Sequence, residues 1–195
     1  MNRQSFIFIF LFVTTIAKCA AQQNNTNKPL QFHSINNVGL LEGQAGPAFQ
    51  LQTVNDAQYK SWFAGVGVGL DYYRFRTIPL FIDLRKEFGK SGNKLFVFAD
   101  AGINFYWERD KDIKQFPVDD KFRNGFYTEV GAGYKIKLSR KLSMLISSSY
   151  SYKKITEDGN YYYFDPPFGW PNTNWPTQKI NYNLSRLVLK AGIQF

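Results

Sequence analysis

The residues of this sequence that could do catalytic chemistry are few and far apart. The chain contains one histidine, His33, and one cysteine, Cys19. Ser34 follows His33 directly, and adjacent residues of an extended strand point to opposite faces, so the two side chains cannot act as nucleophile and base. A lone cysteine and a lone histidine provide no cluster for a metal ion. We therefore predict no enzyme activity, no metal site and no cofactor.

Charged residues form a more informative set. Nine of them fall on the polar sides of segments in which apolar and polar residues alternate, and acidic and basic types are interleaved at similar depth. Inward pairing is the arrangement that avoids placing charges in an apolar environment, which predicts a network of ion pairs. The nine residues are Asp71, Asp83, Arg85, Asp100, Glu129, Lys135, Lys153, Arg186 and Lys190.

One segment is unusually rich in aromatic rings and proline. Such rings could stack on sugars or bind a partner protein, which makes them a candidate surface binding site. The alternative is that the rings pack on one another as a cap. The residues concerned are Tyr161, Tyr162, Tyr163, Phe164, Phe168, Trp170 and Trp175.

Two-residue alternation is the signal that positions these side chains. It is typical of β-strands, and no amphipathic helix of useful length is indicated. In the clearest case, Leu95, Val97 and Ile103 oppose Asp100 and Asn104. The phase of the first strand is ambiguous. We predict eight strands, at about residues 32–41, 49–53, 64–70, 80–85, 95–105, 126–138, 142–152 and 180–195.

Three features indicate that the apolar faces point outward. Glycine and serine recur on the polar faces, where a narrow interior needs small residues. Aromatic residues stand at strand ends, as in the rings that flank a membrane. Long and short connections alternate in the second half of the chain, although the short connection at residues 42–46 fits less well. The fold class predicted is all-β, an eight-stranded antiparallel up-and-down transmembrane barrel; a soluble lipocalin-like barrel is the alternative.

The N-terminus predicts secretion. Met1-Asn2-Arg3 is basic, residues 6–17 are apolar, and Cys19-Ala20-Ala21 is small, so residues 1–21 read as a signal peptide. Lipidation of Cys19 is disfavoured by Lys18 before it. Residues 22–30 are predicted to be a disordered periplasmic lead-in and residues 31–195 the barrel.

The overall charge favours an anionic surface as the partner. Removing residues 1–21 takes away Arg3 and Lys18 and no acidic residue, so the formal charge of +9 falls to +7. For a secreted protein this favours lipid phosphates over nucleic acid, which we do not expect to be bound. Five acids and five bases within residues 108–123 are typical of a solvated loop that contacts lipopolysaccharide.

The final strand carries a resemblance. Residues 187–195 have apolar residues at every second position and end in phenylalanine, and with residues 67–74, 79–85 and 98–105 they resemble the small outer-membrane β-barrel proteins of Gram-negative bacteria. The resemblance implies location in the outer membrane, contact with its lipid and lipopolysaccharide, and recognition by the barrel-insertion machinery. The insertion signal it implies is Gly192, Ile193 and Phe195.

The function expected is structural or surface-interacting. Eight strands leave too narrow an interior for an open pore, so the charge network is interpreted as a plug. The outer loops are expected to bind glycan, lipopolysaccharide or a partner protein. Two alternatives remain, a lipid-modifying outer-membrane enzyme and a narrow channel conducting ions or protons, because one barrel fold supports many functions.

Overall fold

The structure, a computed structural model, describes residues 30–89, 92–107, 121–160 and 177–195. The predicted signal peptide, nearly all of the predicted lead-in and the aromatic segment at residues 161–176 lie outside the described residues. In the described part of the chain, no helix is long and apolar enough to cross a membrane.

Alternating side chains produce one hydrogen-bonded sheet, of nine strands within the described ranges. All neighbouring strands are antiparallel. The strands are Gln31–Gly43 (β1), Ala48–Tyr59 (β2), Trp62–Asp71 (β3), Thr77–Phe88 (β4), Lys94–Tyr106 (β5), Lys121–Arg123 (β6), Gly125–Lys137 (β7), Ser143–Asn160 (β8) and Thr177–Gln194 (β9). Consecutive strands pair except at β6, which pairs with β8 while β5 pairs with β7.

Pairing between the first and last strands closes the sheet into a barrel. Val38 of β1 lies opposite Ala191 of β9, and β9 also pairs with β8. The short β6 and the long β7 follow each other along β8, so together they occupy one position in the wall. The wall therefore has eight positions and no free edge. The predicted eight-stranded antiparallel up-and-down barrel is confirmed; the short β6 was not predicted.

The two ends of the barrel differ. One end, called here the terminal end, carries Gln31, Phe195 and the short connections at residues 60–61, 89–93 and 138–142. The opposite end, called the loop end, carries the connections at 44–47 and 72–76 and the strand ends that flank residues 108–120 and 161–176. Both connections are short, which is why the first half of the sequence lacks the alternation in loop length. Strands β8 and β9 are 18 residues each and extend further than their neighbours at the loop end.

The apolar faces point outward. Leu40, Ile82 and Leu189 expose 66%, 66% and 63% of their surface, although each is a large aliphatic side chain. The same alternation of inward and outward residues determines the phase of the first strand, in which Ile35 and Leu41 face inward. The outer surface is thus largely apolar, with polar exceptions such as Thr53 and Asn55 on β2, which is the reverse of a water-soluble barrel.

Glycines on the inner face make room for aromatic rings. A Cβ atom on Gly67 would lie 2.4 Å from the ring of Phe81, and one on Gly133 would lie 2.4 Å from the ring of Phe96. A narrow interior alone would account for small residues at these positions. The more specific reason is that each faces a large ring across the strand pairing. The buried interior rings are Phe63, Tyr73, Phe81, Phe96, Phe98 and Tyr127.

Closure generates a prediction about Phe195. Its backbone N–H donates to the Ser34 carbonyl (3.0 Å) and its carbonyl accepts from the Ser34 N–H (2.9 Å), while its ring is exposed on the outer face. Deleting Phe195 removes two closing hydrogen bonds and one ring, so we expect much less assembled barrel. The measurement is the amount of heat-modifiable protein in membranes after low-level expression.

The control for this deletion is Gln194→Ala, which changes an inward-facing side chain and leaves the backbone pairing intact. Equal assembly of the two variants would contradict a role of the C-terminal residue in closure or insertion.

Candidate functional site

The candidate site is the interior of the barrel. The structure places all nine predicted charged residues there, and it groups them into three clusters along the barrel axis. Eight of the nine expose 5% or less of their surface. Lys135 exposes 13% because it lies close to the terminal end.

The first cluster lies toward the loop end and centres on Asp71. Arg186 donates a charge-assisted hydrogen bond to its Oδ2 atom, and Lys153 Nζ lies 3.1 Å from its Oδ1 atom. Lys153 also donates to the carbonyl of Phe75 (3.1 Å) and to the hydroxyl of Thr77 (3.2 Å). One carboxylate is thus held between two cations, and Asp71, Lys153 and Arg186 are almost completely buried.

The second cluster lies in the middle and centres on Glu129. Lys190 forms an ion pair with Oε1, and Ser149 donates to the same oxygen at 2.5 Å. The Tyr127 hydroxyl donates to Oε2 at 2.6 Å. Lys190 also donates to Oε1 of Gln52 (2.9 Å). Both carboxylate oxygens therefore have donors, which is the condition under which a buried charge is tolerated.

Two further carboxylates extend this middle cluster. Asp83, Asp100 and Glu129 lie directly opposite one another on β4, β5 and β7, so three acids form a row across the inner wall. Arg85 approaches Asp83 at 3.5 Å. The internal cavity beside this row, lined in part by Arg85 and Lys190, has a volume of about 10 Å³, which is room for a single water molecule. This cavity is therefore too small to serve as a passage by itself.

The third cluster lies at the terminal end. Glu87 accepts from Lys135 (2.6 Å) and from Lys94 (2.7 Å). His33 lies nearby, where one ring nitrogen is 2.9 Å from Oε1 of Gln58. His33 faces the inner side of the wall, so Ser34, the next residue of β1, points to the opposite face.

Several interior polar residues were missed from the sequence. Glu87 continues the inward parity of Asp83 and Arg85, and Asp56, Gln50 and Gln52 share the inward face of β2. These residues could have been identified from the sequence, because every second residue of a strand faces the same side. Among the described residues, no group of three or more histidine, cysteine or acidic side chains is arranged to hold a metal ion.

The surface of the loop end carries two arginines over aromatic rings. The Arg74 guanidinium lies 5.0 Å from the ring of Tyr182 and 5.7 Å from that of Phe75. The Arg76 guanidinium lies 5.0 Å from the ring of Trp107 and 5.4 Å from that of Tyr72. These six residues are called here the loop-end arginine cluster. The predicted binding residues 161–175 lie outside the described residues.

The buried network generates a prediction about stability. Asp71→Asn leaves Lys153 and Arg186 buried without a negative charge, so we expect the free energy of unfolding to fall by about 3–5 kcal/mol. The measurement is urea unfolding of the barrel in lipid.

The matched control is Asp158→Asn, which breaks the pair with Arg123, an arginine that exposes 66% of its side chain. A surface pair contributes about 0–1 kcal/mol, so this variant should be nearly as stable as the parent. Equal losses for the two variants would argue against the stabilising role of the Asp71 cluster.

Comparisons with known proteins bear on this architecture. No family model and no curated protein matches the sequence. Among solved structures, Neisserial surface protein A (NspA) is 12% identical with a TM-score of 0.55, and the match covers 86% of this chain and 98% of that one. The outer membrane protein OprG from Pseudomonas aeruginosa is 9% identical with a TM-score of 0.52, and the match covers 84% and 95%. The chain therefore has the fold of the small outer-membrane β-barrel proteins, as its sequence predicts.

Proposed function

We propose that this protein is an integral outer-membrane barrel with a structural or surface-interacting role, oriented with its terminal end toward the periplasm. The observation that carries the proposal is the distribution of side chains, with aliphatic residues on the outer face and ion pairs inside. An outer face of this kind suits hydrocarbon and would be unstable in water. The fold shared with outer-membrane barrels supports the same location.

We propose that the lumen is plugged and not conductive. The Asp71, Glu129 and Glu87 clusters succeed one another from the loop end to the terminal end, and aromatic rings such as Phe81 and Phe98 fill the space around them. The internal cavity beside the middle cluster has a volume of only about 10 Å³. These features argue against the alternative of a narrow channel.

We also propose that the barrel is not an enzyme. A lipid-modifying barrel of the predicted kind needs a hydroxyl, a base and a carboxylate close together at one rim. In the part of the chain that the structure describes, His33 is hydrogen-bonded to Gln58, an amide, and Ser34 lies on the other face of the same strand. This arrangement favours a binding role over catalysis.

The surface interaction that we propose is with lipopolysaccharide, through the loop-end arginine cluster. Guanidinium groups form bidentate hydrogen bonds with phosphate, and the exposed ring of Trp107 can stack on a sugar. Within the described ranges, neither Arg74 nor Arg76 forms an ion pair with a carboxylate, so both charges are available to an anionic ligand. The aromatic residues 161–175 are proposed to extend the same surface.

The location and the plug can be tested together. The protein should fractionate with outer membranes, migrate faster before boiling than after boiling on a detergent gel, and produce no steady conductance steps in planar bilayers. Recovery in the soluble periplasmic fraction would contradict the location, and regular conductance steps would contradict the plug alone.

The lipopolysaccharide proposal is tested with Arg74→Gln/Arg76→Gln. We expect weaker binding of purified lipopolysaccharide to the barrel in detergent, by about tenfold, since a charge-assisted hydrogen bond contributes about 1.5–3 kcal/mol and exposure reduces this. Titration calorimetry is the measurement.

The control is Arg140→Gln/Lys141→Gln, which removes the same charge from a turn at the terminal end. An equal loss in the two double variants would mean that net charge, and not the loop-end cluster, determines binding.

A further inference from the structure

A second group of cations and rings lies on the outer face at the terminal end. Tyr59, Trp62 and Phe88 expose 52%, 47% and 45% of their surface there. Lys60 and Lys86 lie among these rings. The five residues come from the ends of β2 and β4, the start of β3 and the turn between β2 and β3, and they are called here the lysine–aromatic patch.

The wall itself fixes the geometry of the patch. Lys86 lies directly opposite Trp62 on the neighbouring strand, and Trp62 lies opposite Tyr59. The Lys86 Nζ atom is 4.7 Å from the centre of the Trp62 ring and 5.3 Å from that of Phe88, and the Lys60 Nζ atom is 5.2 Å from the Tyr59 ring. Both ammonium groups are therefore held over ring faces on the outside of the barrel.

The turn between β2 and β3 contributes to this placement. Lys60 adopts a left-handed backbone conformation with φ of 58°, which few non-glycine residues do. The N–H of Glu87 donates to the Ser61 carbonyl at 2.9 Å, so the turn is tied to the end of β4. The side chains of Lys60 and Lys86 consequently remain on neighbouring parts of one surface.

Among the described residues, the two ammonium groups have no carboxylate as counter-charge. Neither lysine lies within ion-pair distance of a carboxylate in these ranges, and the adjacent Glu87 points inward to Lys94 and Lys135. The described part of the chain therefore leaves the patch with two uncompensated positive charges.

The position of the rings indicates what neutralises these charges. Tryptophan and tyrosine prefer the boundary between hydrocarbon and water, where lipid headgroups lie. An ammonium group at that depth meets phosphates, whereas the aliphatic side chains further along the same face, such as Leu84 and Ile82, meet acyl chains. A single phospholipid molecule presents both a phosphate and acyl chains.

We propose that the lysine–aromatic patch is a binding site for an anionic phospholipid of the leaflet that surrounds the terminal end. Its phosphate lies between Lys60 and Lys86, and its acyl chains lie along the outer face of β3 to β5. The inference rests on the proposed function, because it requires the barrel to be in a membrane. It assigns the terminal end a ligand of a different class from the lipopolysaccharide proposed for the loop end.

The test uses the full barrel purified in neutral detergent and titrated with phosphatidylglycerol or phosphatidylcholine, with bound lipid counted by native mass spectrometry. We expect the unmodified barrel to retain phosphatidylglycerol preferentially. Lys60→Gln/Lys86→Gln should weaken phosphatidylglycerol binding by about tenfold or more, since each lysine near an anionic lipid contributes roughly 1 kcal/mol, or about fivefold. Phosphatidylcholine binding should change little.

The control is Lys137→Gln/Lys141→Gln, which removes the same charge at the same end without touching the patch, and it should change the affinity less than about twofold. Equal losses in both double variants, absence of a phosphatidylglycerol preference, or displacement of the lipid by inorganic phosphate alone would each overturn the proposed site.

Heat-modifiable migration of every variant establishes that it is folded, and Lys86→Gln alone replaces the double variant if the latter does not fold. A folded, membrane-inserted barrel without lipid preference would overturn the inference and leave the proposed function intact. A chain that does not insert would instead contradict the proposed function.

Discussion

The backbone hydrogen bonds between β1 and β9 are the constraint on which the rest of this structure depends. Hydrocarbon offers no partner for an unpaired N–H or carbonyl group, so a sheet can lie in lipid only if it has no edge. Pairs such as Val38 with Ala191 remove both edges at once. Closure also fixes the register of every other strand, because a shift by one residue would turn the aliphatic face inward and the ion pairs outward.

The interior follows from that closure. Eight wall positions enclose a space that side chains can just fill, so large rings need glycine opposite them, as Phe81 does with Gly67. Charged groups need partners within the same small space. Glu129 receives donors from Ser149, Tyr127 and Lys190, which belong to three different strands. Its carboxylate is thus bound to the wall at several points, and this kind of network rigidifies a barrel while excluding water.

The sequence alone predicts the architecture because the alternation of apolar and polar residues indicates on which face of the sheet each side chain lies. It supports the strand number, the outward direction of the aliphatic faces, and the assignment of residues such as Asp100 and Arg186 to one face. The alternation does not indicate which side chains contact one another inside the barrel. Asp71 meets Arg186 across 115 positions of the chain, a contact that depends on register and closure. For the same reason the pairing of glycines with rings was not predicted.

At some positions the local sequence pattern does not predict the strand that forms. The first strand mixes Asn36 with Val38 on the outward face and Asn37 with Ile35 on the inward face, so its phase emerges only from pairing with β2 and β9. The short β6 follows a highly charged segment, and its pairing with β8 rather than any alternation makes it a strand. Arg74 and Arg76 lie in one connection, but the rings of Tyr182 and Trp107 reach them from distant parts of the sequence.

The unequal length of the strands has a consequence for the order of folding. The β8–β9 ladder pairs residues from Ser143 with Gln194 to Asn160 with Thr177, contacts that are nearer in sequence than those of the closing seam and therefore lose less chain entropy on forming. The β1–β9 ladder joins positions such as Ile35 and Gln194 at opposite ends of the barrel sequence, which makes its formation slow. We therefore expect the C-terminal hairpin to be a nucleus and the seam at β1 to be the last event. Until that seam forms, the sheet has two edges with unpaired backbone groups. The chain is therefore most prone to aggregation after the hairpin has formed and before the barrel closes.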